Sequence, residues 1–175
     1  MGGWNNFYLQ KIGASETCKE SVATWGVWCK NLPFKLFGKA KEPAKHSWYD
    51  EHGDDEYIPA TGLYMDAYTM KVEFGCKKMA QNRYGTHSAV NDVRANVSSF
   101  LRYLMGGAFM LYSSYTRIGR RDVRLESIGD NAKWKSDGDD EFLTFEVTFK
   151  VNDPVTDVEL RGGSLVVANS GSSEA

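Results

Sequence analysis

The chain has 175 residues, enough for one domain with a sizeable core. Its 21 basic and 23 acidic residues leave a formal net charge of −2, which gives no global pull toward nucleic acid or an anionic membrane. Cys18, Cys29 and Cys76 are widely spaced, odd in number and without a CxxC pair, which excludes a zinc knuckle and a thioredoxin-like motif and predicts reduced thiols in or near a core.

The opening stretch, MGGWNNFYLQKIG, has no basic region followed by an apolar run, so no signal peptide is expected. Nor does any stretch reach the roughly 18 apolar residues of a membrane span. Phe7 to Ile12 reads as a short strand, and the apolar, aromatic run from Val22 to Leu32 as another. A long charged loop with Pro43 and Pro59 follows, from Phe34 to Pro59. Tyr68, Met70, Val72, Phe74 and Cys76 then alternate with Thr69, Lys71, Glu73 and Gly75, the pattern of a half-buried strand. From Ser88 to Leu104, Val90, Val93, Val97, Phe100, Leu101 and Leu104 recur at helical spacing, opposite Asn91, Arg94, Ser98 and Arg102. Thr86 or Ser88 suits the start of that helix, Asp92 its positive first turn, and Gly106-Gly107 its end.

Phe109 to Tyr112 and Val123 to Ile128 predict two strands joined through Tyr115 to Arg121 around Gly119. Gly129 to Glu141 is read as a polar hairpin tip with Asp-Gly as its turn signal. In the last long strand, Leu143, Phe145, Val147, Phe149 and Val151 alternate with Thr144, Glu146, Thr148 and Lys150. Six or more strands around one helix predict a mainly β (α+β) fold, an antiparallel β-sandwich or open barrel with one flanking helix at about 88–104 and long hairpin loops. Residues 1–160 form the expected single domain. Residues 161–175, with GGS and SGSS, read as a flexible tail in which Ser164 to Ala168 could pair as an edge strand.

The candidate for chemistry is WYDEHGDDEYIP, Trp48 to Pro59. Were it extended, Asp50, His52 and Asp54 would share one face, and with His46 they could hold a divalent cation. Gly53 within the run argues instead for a solvated turn between two strands, and the spacing fits neither a metalloprotease helix nor a calcium loop. Arg117, Arg120, Arg121 and Arg124 beside Tyr115 form a basic patch suited to phosphates, or to carboxylate pairing at a subunit interface, although Asp122 and Glu126 interleave with it. Cys29 lies among apolar residues, where a thiol stays protonated. No GxSxG elbow or glycine-rich nucleotide loop occurs. The carboxylates of Asp54-Asp55-Glu56 and Asp139-Asp140-Glu141 lie in polar runs without an apolar neighbour to raise a pKa. Asn96-Val97-Ser98 matches a glycosylation sequon, but on a helix, and is read as chance. No catalytic, metal or cofactor-binding residue is therefore assigned.

The order of elements carries more information than any motif. Trp25-Gly26-Val27-Trp28 runs into the loop ending DEHGDDEYIP, then comes YTMKVEF, the spacer CKKMAQNRYGTH and the helix SAVNDVRANVSSFLRYLMGG. The hairpin AFMLYSSYTRIGRRDVRLESIGD follows, and FLTFEVTFKVNDPVTDV closes the pattern. Over about residues 20 to 160 this resembles the N-terminal domain of distal tail proteins of long-tailed bacteriophages, within the wider tail-tube superfamily. The points of likeness are Gly53-Asp54-Asp55 before a strand, the helix feeding a strand around Phe109 to Leu111, and the strand ending in Asn152-Asp153-Pro154.

The resemblance implies a β-sandwich or open barrel flanked by a helix and assembled as a six-membered ring at a tail tip or tube. The partners it implies are further copies of the chain and other tail proteins, with nucleic acid met only in passage through a lumen. It also implies synthesis in a host bacterial cytoplasm, a place in the virion tail, and no enzymatic activity, cofactor, membrane contact or small-molecule substrate. The chain departs from the family in lacking an obvious second domain and in its basic Arg117 to Arg124 hairpin. Two other readings remain: a monomeric carbohydrate- or ligand-binding β-sandwich using exposed tryptophans, and a metal-dependent hydrolase using His46, Asp50, His52 and Asp54.

Overall fold

The computed structural model describes residues 3–13, 17–77, 89–130, 132–137 and 140–168. In chain order the elements are β1 (Phe7–Lys11), β2 (Lys19–Glu20), α1 (Ser21–Trp25), β3 (Val27–Cys29), β4 (Lys45–His46), β5 (Asp55–Glu56) and β6 (Tyr68–Lys77). They continue with α2 (Ala89–Met105), β7 (Phe109–Ser113), β8 (Gly119–Ile128), β9 (Lys133–Asp137), β10 (Asp140–Val151), β11 (Val158–Arg161) and β12 (Ser164–Val167). The principal sheet runs β2-β1-β7-β8-β10-β6-β3, with β9 continuing the line of β8 along β10. Every pairing is antiparallel. The sheet curls into a half-barrel around α2, so the expected β-rich fold with one main helix takes the open-barrel form.

The axis of the sheet is β6 against β10, paired over ten residues from Phe142↔Lys77 to Val151↔Tyr68. Because alternate side chains share a face, the register sets Met70, Val72, Phe74 and Cys76 beside Phe149, Val147, Phe145 and Leu143. All eight are buried. The helix closes this concave face with Val93, Val97, Phe100 and Leu104, spaced by three or four residues along one stripe. Phe100 is fully buried, its ring centroid 5.3 Å from Phe74 and from Trp25 and 5.9 Å from Phe7. These edge-on contacts add to the burial energy of the rings. On the opposite face, the β11–β12 hairpin buries Val158 and Leu165 against Tyr112, and the Gln10 side-chain oxygen accepts from the Leu165 amide at 2.8 Å.

Several expectations change. Val22 to Trp25 is a helical turn, because both Glu20 carboxylate oxygens cap it, accepting from Val22 and Ala23 at 3.1 and 2.7 Å. Gly26 ends the turn at φ +65°, and a Cβ there would stand 2.8 Å from the Lys77 carbonyl oxygen. Only Val27–Cys29 is strand, and Trp25 turns inward to donate from its indole to Ser99 Oγ at 3.3 Å. The polar stretch after Gly129 is largely strand β9, with Trp134 opposite Leu143. Strand β8 begins at Gly119, and the turn before it is Ser114 to Arg117, Arg117 itself lying at φ +59°. Arg161, assigned to the tail, ends β11, while the edge strand expected within Ser164 to Ala168 does pair, as β12. Thr86, Ser88, Gly138-Asp139 and residues 169–175 lie outside the described residues.

Phe100→Ala is expected to lower unfolding free energy by about 3–5 kcal/mol, the usual cost of emptying a ring-sized core site. Urea denaturation monitored by tryptophan fluorescence measures it.

Candidate functional site

Between Leu32, which is buried, and Tyr68, at the start of β6, the chain leaves the core as a narrow two-stranded arm. Its two sides are tied by the Asp66 amide to the Lys39 carbonyl at 2.8 Å, the Lys41 amide to Tyr64 at 2.7 Å and the Tyr57 amide to Ala44 at 2.8 Å. An Ala40↔Met65 bridge and the β4–β5 pair, Lys45↔Glu56 and His46↔Asp55, complete the ladder. The arm has no core of its own. Leu36, Phe37, Trp48, Tyr49, Tyr57, Ile58, Leu63 and Tyr64 are each at least half exposed, and they make up half of the exposed large apolar side chains among the described residues. Concentrated apolar exposure of this kind marks a contact surface, whereas single exposed residues need no explanation.

The acidic stretch forms the tip of this arm. Tyr49 and Asp50 turn, Glu51 to Gly53 bend, and Gly53 lies at φ +80°, so the run is not extended and does not line up Asp50, His52 and Asp54. His46 packs its ring 4.0 Å from that of Trp48, whose indole donates to Asp55 Oδ2 at 3.0 Å. Lys45 stands 4.0 Å from Asp54 and 3.8 Å from Glu42. Among the described residues no group of three or more His, Cys, Asp or Glu side chains comes together as a metal site. The expected solvated turn is there, and the strands it joins are β4 and β5.

The base of the arm is held by Arg120, which is only 2% exposed. Its Nη1 donates to the Gly119 carbonyl at 2.9 Å and to Asp157 Oδ1 at 2.5 Å, and its Nη2 to the carbonyls of Lys35 and Leu36 at 3.0 and 2.7 Å. The Phe34 ring lies 6.0 Å from the guanidinium. Tyr68 adds a second tie, its hydroxyl accepting from the Lys35 amide at 3.1 Å. Burial pushes the Tyr68 hydroxyl pKa up, while its bond to the Lys35 backbone and the nearby Arg120 charge pull the other way. Arg120 therefore does not belong to a solvent-facing basic patch. Arg117, Arg121 and Arg124 remain exposed.

Position 120 reaches the interior because β8 bulges where it meets β7: Leu111 faces Arg120 while Phe109 faces Val123. The extra residue puts both Arg120 and Val123 beside core-facing partners. Asp157 is brought up by the turn after β10, where Asp153 Oδ1 accepts from the amides of Val155 and Thr156 at 3.2 and 3.0 Å. Burial opposes ionisation of Asp153, but the Thr156 hydroxyl, those amides and Arg121 outweigh it and hold its pKa below the ordinary carboxylate value. No periodicity in the sequence marks Arg120 as different from its arginine neighbours.

The thiols are poor nucleophiles. Burial pushes Cys18 up to about 11 and Cys29 and Cys76 up to about 12, far from the range of reactive cysteines. Of the tryptophans proposed for a sugar-stacking face, Trp25 is spent on the core, whereas Trp48 and Trp134 are 51% and 43% exposed. No helix among the described residues is long and apolar enough to cross a membrane.

Removing the guanidinium takes a donor from three backbone carbonyls and frees the arm, so Arg120→Ala is expected to cost about 3 kcal/mol. The same variant should expose residues 33–40 to limited proteolysis. Asp157→Asn, altering a carboxylate that is 61% exposed, should cost less than about 1 kcal/mol. With iodoacetamide at pH 8, Cys29 and Cys76 should stay unlabelled in the native protein and react in denaturant, as mass spectrometry would read. Comparison of the chain with protein-family models, with curated proteins and with solved structures finds no match in any of the three.

Proposed function

We propose that this chain is a structural subunit of a bacteriophage or prophage tail, forming a ring at the tail tip or tube through contacts between copies and not through catalysis. The observation that carries the subunit role is the arm: a firmly anchored ribbon whose aromatic and aliphatic side chains are each left at least half uncovered by the described residues. A two-stranded ribbon alone is marginally stable in water, so burial against another molecule would stabilise both the ribbon and the assembly. The assignment to a tail rests on the order of elements, a long loop, one central helix and two hairpins around an antiparallel sheet. The monomeric binding-module reading keeps only Trp48 and Trp134 as broadly exposed stacking surfaces, and Trp48 is part of the same arm.

Light scattering after size exclusion across a concentration series, with negative-stain images of the peak, tests the proposal. Closed rings, or a monomer converting to rings or tubes as concentration rises, are the expected result. A monomer at every concentration would contradict self-assembly and favour the binding module, to be pursued by sugar titration.

A further inference from the structure

Two exposed regions of this chain carry opposite charge and matching aromatic surface. The arm tip presents Trp48 and Tyr49, 51% and fully exposed, beside Asp50 and Glu51. The turn entering β8 and that strand as far as Arg124 present Tyr115, 73% exposed, with Arg117 and Arg124 at the surface. Asp50 and Glu51 have no ion-pair partner among the described residues, and neither has Arg117. Arg124 donates only to the Leu125 carbonyl, at 3.1 Å. Arg121 is already engaged electrostatically with Asp153, and Arg120 is consumed inside. Asp122 and Glu126 reduce the positive charge of the strand, which leaves Arg117 and Arg124 as its guanidinium groups without a carboxylate partner among the described residues.

We propose that the acidic, aromatic arm tip of one copy seats on the β7–β8 turn and on β8 as far as Arg124 of a second copy. The inference rests on the subunit reading above and adds to it the receiving surface. Charge complementarity names the occupant: carboxylates without partners on one region face guanidinium groups without carboxylate partners on the other, and each brings an exposed aromatic ring. Opposite charges across a contact set its register and exclude wrong pairings, while the rings supply the burial. Because tip and strand are different parts of one surface, the contact is head-to-tail, and repeating it gives a closed ring or an open filament. It also gives the arginines of this hairpin a role that needs no nucleic acid.

A charge-swap pair tests this. One variant carries Asp50→Lys with Glu51→Lys, the other Arg117→Glu with Arg124→Glu; all four positions are exposed, and far-UV circular dichroism and thermal melting establish that both fold. Each variant alone should need at least about tenfold more protein than the wild type for half-assembly, since like charges then face each other. Mixed in equal amounts, the variants have complementary surfaces at every contact, and assembly should return as alternating oligomers visible by light scattering. Wild-type assembly should weaken as salt is raised. Unaltered self-assembly of either variant, or a mixture that stays monomeric while the wild type assembles, overturns the docking site and leaves the subunit reading standing. A wild type that is monomeric throughout overturns both.

Discussion

A guanidinium with four hydrogen bonds, almost wholly out of water, fixes the relation between the sheet and everything attached to it. Arg120 joins three segments distant in sequence: its own strand, Asp157 after β10, and the Lys35–Leu36 carbonyls where the arm departs. Taking such a charge from water costs several kcal/mol, and the cost is offset only because both terminal nitrogens are used twice. Arginine suits this place better than lysine, since one planar fork can satisfy acceptors from different directions. Without it, the chain between Leu32 and Tyr68 would have little beyond Phe34 and the Tyr68 hydroxyl to fix its direction.

That anchorage gives the arm its meaning. Entropy argues against holding a ribbon away from the core unless the ordered shape is used. Full burial of a large apolar side chain yields about 1.5–3 kcal/mol, so covering most of those on the arm gives a gain comparable with the roughly 4–15 kcal/mol lost on association. The carboxylates of the tip then have a physical role distinct from chemistry. On the subunit proposal they keep an aromatic ribbon in water before assembly, and charged residues on exposed strands are a common guard against indiscriminate pairing. On the same proposal, the run that looked most like a metal site becomes the soluble end of a contact element.

The strongly periodic elements were legible in the sequence. The alternation of Tyr68 to Cys76 and of Leu143 to Val151 corresponds to β6 and β10, and the apolar stripe from Val93 to Leu104 to the buried side of α2. These segments have one wet and one dry face, so burial and periodicity say the same thing. Val22 to Trp25 was misread because its apolar content fits a strand, whereas the decision belonged to the Glu20 cap and Gly26. Strand β9 was hidden by its charge: its pairing along β10 makes it a strand, and Lys133 and Trp134 stay exposed. Arg120 was illegible for a different reason. A bulge in β8 shifts the alternation, and the partners that make burial tolerable come from residues 35, 36 and 157.

The central claim is that the arm of one copy is covered by another, and amide hydrogen exchange of residues 39–66 across a dilution series tests it most directly. The ladder amides of Lys41, Tyr57 and Asp66 sit in a ribbon with no core of its own and should exchange quickly in dilute protein. At high concentration they should become protected, while amides of β6 and β10 stay protected throughout. Fast exchange of the arm at every concentration, with particles already assembled by light scattering, would contradict the account and move the subunit contact elsewhere on the molecule.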